Sequence, residues 1–166
     1  TTSFTDTNNI LETLGILERA QSSIAEVHTG SKTNTAGGNI TSATQFDAID
    51  VTGTIGITDT ITISGTDHSG NAITSTDFTI NPVTRTVADL LTAIETAFID
   101  GSNTVTASIA NGKIVITDDT TGDSQLSVSL VSNNQGGADL DFGDISVTTA
   151  GYGMEVTAGQ DAKLTI

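Results

Sequence analysis

Two histidines and two acidic loops are the residues in this chain whose types invite chemistry. His28 sits near a polar linker and His68 in the polar run DHSGN (Asp67 to Asn71). Neither has the HExxH spacing that puts two imidazoles on one helix face around zinc. No GxSxG elbow or Cys–His pair accompanies them, so a nucleophilic triad is not expected. Both are therefore read as solvated side chains. The acidic loops are GGADLDFGD (Gly136 to Asp144) and DDTTGD (Asp118 to Asp123). The first is similar to the Gly-Asp loops that hold calcium in repeat toxins. Calcium takes six to eight oxygens in a preformed loop, and those loops work as stacked copies. One imperfect copy is present, so the Asp residues are read as turn formers beside Gly. A glycosidase-like carboxylate pair lacks aromatic platforms, with five Phe and one Tyr in the whole chain. The expectation is no catalytic, cofactor or metal residue, and no enzyme.

Charge narrows the partners. Twenty acidic residues against five basic give a net charge of −15. Such a surface repels nucleic acid and anionic membranes, because phosphate binding needs Lys and Arg patches. Nothing in the sequence reaches the length of a membrane span. There is no cysteine, which excludes a disulfide framework and thiolate metal sites. The opening residues TTSFTD show neither a basic n-region nor an apolar h-region, so no cleaved signal peptide is expected.

The elements that position these residues are mostly strands. Threonine makes up about a fifth of the chain, and with Ile and Val it signals β structure with polar outer faces. Ile55, Ile57, Ile61 and Ile63 share one parity while Thr54, Thr58, Thr60 and Thr62 share the other. Phe78 and Ile80 close a returning strand before Asn81-Pro82. Thr86 and Asp89 form a capping box ahead of Val87, Leu90, Leu91, Ile94 and Phe98, which recur at helical spacing. Asn111-Gly112 is a two-residue hairpin turn that sets Ile109 opposite Ile114 and Ala107 opposite Ile116. Leu126, Val128 and Leu130 alternate on a strand expected to be the third beside that hairpin. A short amphipathic helix is expected at Ile10, Leu11, Leu14 and Leu17, with an extension through Ala20, Ile24 and Val27. Short strands are expected at 145–149, 154–157 and 162–166. The fold class is mainly β with α (α+β): antiparallel sheets with one or two short helices.

Three segments carry a family resemblance. Residues 86–130, with ADLLTAIETAF and VTASIANGKIVITDDTTGDSQLSVSL, resemble the repeat module inside bacterial flagellins and flagellar hook-associated proteins. TAGQDAKLTI (Thr157 to Ile166) is similar to a segment typical of the flagellar filament-capping family, hook-associated protein 2. NNILETLGIL (Asn8 to Leu17) resembles the leucine-glycine segment that commonly sits shortly before it. Here about 140 residues separate those two neighbours. That spacing suggests an outer subdomain, 40–132, inserted into an inner one made of 1–30 and 145–166, with 31–39 and 133–144 as linkers. The resemblance implies a structural subunit of the cap at the distal tip of the filament, outside the cell and exported through the flagellar secretion channel. It further implies self-association into a ring, contact with flagellin, and in some members contact with host glycan or mucin. The alternatives are flagellin or another hook-associated subunit, and an adhesin or carbohydrate-binding β domain.

Overall fold

The computed structural model describes residues 24–99 and 104–151. The architecture is mainly β, with antiparallel sheets and, among the described residues, one short α-helix. One sheet has the order β6-β7-β1-β9, from Val105–Ala110, Lys113–Thr121, Ala25–Thr29 and Ser146–Thr149. The other has the order β5-β4-β8, from Thr76–Thr79, Thr60–Thr66 and Ser127–Asn133. A small hairpin, β2 (Asn34–Thr35) and β3 (Gly38–Asn39), pairs with neither sheet.

Helix α1 (Val87–Ala97) joins the two sheets, touching β6 of one and β4 and β5 of the other. It starts where the sequence pattern places it. The Asp89 carboxylate accepts from the Thr86 N–H at 2.7 Å and from the Thr86 hydroxyl at 3.2 Å, satisfying an amide that the helix leaves unpaired. Its stripe is fully turned inward: Val87, Leu90, Leu91 and Ile94 are buried, and Phe98 continues the row beyond the last turn. These side chains belong to one core cluster with Ile61, Ile63, Phe78, Ile80, Ile114, Ile116, Val128 and Leu130. The hairpin register is the expected one, with Ile109 facing Ile114 and Ala107 facing Ile116. Asn111 has φ 52° and Gly112 φ 77°, so the Asn-Gly pair supplies the two positive φ values that a two-residue turn needs.

Several expectations are corrected. The strand with Val128 and Leu130 does not join the hairpin. It pairs with β4 over seven residues, from Thr60↔Asn133 to Thr66↔Ser127, while β1 occupies the second edge of β7. Alternation fixed which face is buried and carried no information on the neighbour. Gly65 in β4 explains part of that choice. Its φ is 152°, and a Cβ there would stand 1.9 Å from the Ser127 carbonyl oxygen, so the two strands cross at a point open only to glycine. Ile57 is 67% exposed, because the backbone turns at 56–59 and the strand begins only at Thr60. Residues 25–29 are a strand, whereas Ile24 and Val27 were read as a helical extension.

Segments 31–39 and 133–144, read as linkers, hold to the body of the fold. Thr33 is buried and its N–H bonds the Gly112 carbonyl, and Ala138, Leu140 and Phe142 enter the core. Strand β1 pairs with β9 on one side and with β7 on the other, so it touches both of the segments that the sequence reading assigned to separate subdomains. The expected helix at 10–17, the strands at 154–157 and 162–166, and the contact of Leu14 and Leu17 with Val156 or Leu164 lie outside the described residues.

Leu91→Ala removes a side chain that the core encloses, so it should cost about 2–5 kcal/mol. Denaturant unfolding monitored by far-UV circular dichroism measures it, and a loss below about 1 kcal/mol would contradict the packing described for α1.

Candidate functional site

The titratable side chains are held inside turns and strands. His68 lies in the loop after β4, which Asp67 shapes: the Asp67 carboxylate accepts from the Ser69 and Asn71 N–H groups at 2.9 and 2.8 Å. That turn aims His68 Nδ1 at Asp118 Oδ2, 2.7 Å away. Asp118 sits on the inward face of β7 and is completely buried. Its Oδ2 also accepts the Ser124 hydroxyl at 2.7 Å, and its Oδ1 the Thr120 N–H at 2.9 Å. Serine, histidine and aspartate thus meet, but in the wrong order for nucleophilic relay. In a relay the imidazole stands between hydroxyl and carboxylate and takes the serine proton. Here both groups bond the same carboxylate oxygen, and the Ser124 oxygen is further engaged by the Leu126 N–H at 3.0 Å. The arrangement locks the β7–β8 turn onto the β4 loop, and the Gln125 N–H bond to the His68 carbonyl completes it.

His28 and Glu26 make the second pair. They face inward from alternate positions of β1, with His28 Nε2 2.8 Å from Glu26 Oε1. Both are buried. The reading of the two histidines as solvated is therefore corrected: His28 is 3% exposed, and the His68 side chain 18%. The missed signal is the alternation in AEVHT, where period two puts Glu26 and His28 on one face. An imidazole beside a carboxylate two residues away can satisfy its own hydrogen bond inside a sheet.

The acidic loops diverge. In 118–123, Asp118 points inward, Asp119 accepts the hydroxyls of Thr104 and Thr106 at 2.7 and 2.8 Å, and Asp123 faces solvent. In 136–144, Ala138, Leu140 and Phe142 turn inward, while Asp139 and Asp141 bond backbone amides of Thr52 and Gly143. Among the described residues no group of three His, Cys, Asp or Glu converges as metal ligands would. The fully buried Asp59 has a similar role to Asp118. Its two oxygens accept the Gly56 and Gly136 N–H groups at 2.8 Å each, fastening the 133–144 segment to the turn before β4.

Two concavities remain. A polar recess of about 210 Å³ is lined by Lys32, Asp50, Asp139 and Asp141. A broader open groove of about 530 Å³ runs past Ile40, Leu91, Ala107 and Ile109. The outward face of β4 carries Thr60, Thr62, Ser64 and Thr66, with the Asn133 amide donating to the Thr60 and Thr62 hydroxyls at 3.0 and 3.2 Å.

Fold and side-chain geometry together define a mainly antiparallel β domain whose buried polar groups brace loops. Comparisons with protein-family models, with curated proteins and with solved structures give no match. Among the described residues, no helix is long and apolar enough to cross a membrane.

Asp118→Ala leaves three donors without their acceptor in a buried place. The expected loss is about 3 kcal/mol of unfolding free energy. Chemical denaturation of the variant beside Asp123→Ala measures it. The exposed Asp123 should change stability by less than about 0.5 kcal/mol.

Proposed function

We propose that this chain is a structural subunit of the cap at the distal tip of the bacterial flagellar filament, where it promotes flagellin assembly by steric and binding contacts. The observation that carries the reading is the segment TAGQDAKLTI (Thr157 to Ile166), which resembles the filament-capping family and separates it from flagellin. The geometry supports a structural role in two ways. Within the shared module, the helix Val87–Ala97 packs on the hairpin of Val105–Ala110 and Lys113–Thr121 in one core. The histidines and buried carboxylates bond to neighbouring loops and strands, so their energy goes into holding shape. A cap subunit needs rigidity and contact surface, with binding energy between subunits doing the work that catalysis does in an enzyme.

In this reading the intact protein forms a ring, meets flagellin at the growing end, and is exposed outside the cell, where host glycan or mucin is a further possible contact. The chain by itself associates weakly. Identical surfaces carrying −15 each repel, and no long apolar heptad run is present to overcome that.

Immunogold labelling of flagella from the source bacterium, using antibody raised against this chain, tests the function. Label confined to filament tips is the expected result. Label along the whole filament would assign the chain to flagellin, and label absent from flagella would end the flagellar reading. For assembly, the isolated chain should scatter light as a monomer at low salt and low micromolar concentration. A stable oligomer persisting under those conditions would show that these residues alone drive assembly.

A further inference from the structure

Four strands end the two sheets: β6 and β9 in one, β5 and β8 in the other. An edge strand offers a row of unpaired N–H and C=O groups to any other strand, and proteins blunt such edges with charge, shortness, irregularity or cover. Three of the four are blunted here. Strand β5 has four residues and carries Asp77. The Ala107 N–H of β6 is taken by the Glu95 carboxylate at 3.0 Å. Strand β9 has four residues, and its pairing with β1 shifts register between Val27 and His28.

Strand β8 has none of these protections. Its seven residues, SVSLVSN, include no charge and no proline. They pair with β4 along their whole length without a register shift. Among the described residues no other strand pairs with β8, and no backbone hydrogen bond joins 128–132 to anything except β4. Val131 stands 53% exposed on its outward side.

We infer that the free edge of β8 is a homotypic pairing surface: it takes the β8 strand of a second copy, antiparallel, and extends the three-stranded sheet across a two-fold axis. Charge selects the occupant. Two copies at −15 repel over most of their surfaces, so they approach most easily where neither presents a carboxylate. Beside β8, the outward face of β4 is all hydroxyl, and the Asp77 carboxylate lies two strands away, accepting the Thr62 hydroxyl at 2.6 Å. Antiparallel pairing of identical strands is isologous, and whatever the register it sets only Ser, Val, Leu and Asn opposite one another. A basic extended peptide would find no carboxylate on the strand to recognise.

Size fixes the strength. A contact one strand wide buries less than the roughly 1,200–2,000 Å² typical of stable complexes. Pairing is therefore weak in the isolated chain, in keeping with a monomer at low concentration and low salt, and grows where copies are held close. Added salt strengthens it, because screening reduces the repulsion between the two acidic bodies. A two-fold contact joins copies in pairs and is distinct from any head-to-tail ring contact. The inference does not rest on the flagellar reading and is tested on the isolated chain.

The experiment is residue-resolved amide hydrogen exchange at low and high protein concentration, at two salt levels, with sedimentation velocity alongside. At high concentration and high salt, β8 amides facing away from β4 should slow by about tenfold, with β5 edge amides unchanged. The double variant Ser129→Asp/Val131→Asp places carboxylates at two exposed positions. It should keep its unfolding midpoint within experimental scatter and lose both the concentration-dependent protection and the shift in sedimentation. Ser129→Thr/Val131→Thr should keep both. Exchange at β8 independent of concentration, equal protection at the other edges, or association retained by the folded double-Asp variant would each overturn the inference.

Discussion

Among the described residues the two larger sheets share no strand, and the apolar stripe of one eleven-residue helix packs against both. Val87, Leu90, Leu91, Ile94 and Phe98 are each at least nine-tenths buried, and α1 touches β6 on one side and β4 and β5 on the other. Removing that wedge would strip cover from a core that also holds Ile61, Ile63 and Phe78 of one sheet and Ile114 and Ile116 of the other. The cost scales with apolar area at about 25 cal/mol per Å², so the helix makes the two sheets one folding unit. Arg85, just before the helix, adds to the junction by lying 4.8 Å over the Phe78 ring of β5.

Around that wedge, buried carboxylates do the work that disulfides or metals do in other small β domains. Asp59, Asp67 and Asp118 are each at most 2% exposed; Asp59 and Asp67 accept backbone amides of turns, and Asp118 accepts the Thr120 amide and the Ser124 hydroxyl. A carboxylate offers about four lone-pair directions, so one side chain can fix two or three donors at once. The strongly acidic composition therefore divides into two populations. Among the described residues most carboxylates are surface charges that keep copies apart, and a few are interior acceptors that hold loops to the body.

Much of this layout was legible in the sequence, and the limits have physical causes. The helix, its capping box and the Asn-Gly hairpin are local, so pattern and turn chemistry within a dozen residues identify them. The partner of β8 is long-range: the same alternation of Val128 and Leu130 would suit either sheet, and the close approach at Gly65 that seats it against β4 leaves no mark in a pattern of hydrophobicity. The loops at 31–39 and 133–144 read as linkers because glycine and polar residues dominate them, although Leu140 and Phe142 alternate inward like a strand. The two histidines differ in what the sequence offers: the partner of His28 is Glu26, two residues away in the same strand, whereas that of His68 is distant. Burial of His28 and His68 depends on carboxylates that satisfy them, and Asp118 is fifty residues from His68.

The placement of β1 has a consequence for how the chain acquires its shape. This strand lies inside its sheet between β7 and β9, and the Thr148 hydroxyl reaches the Val27 carbonyl across 121 residues. A chain emerging from its N-terminus therefore carries β1 without its sheet partners until β7 and then β9 have followed. Such non-local pairing raises the contact order, and folding times of milliseconds to seconds are typical of β topologies of this kind. The helix and the β6–β7 hairpin can order from local contacts, whereas β1 takes its place only after both of its distant neighbours exist.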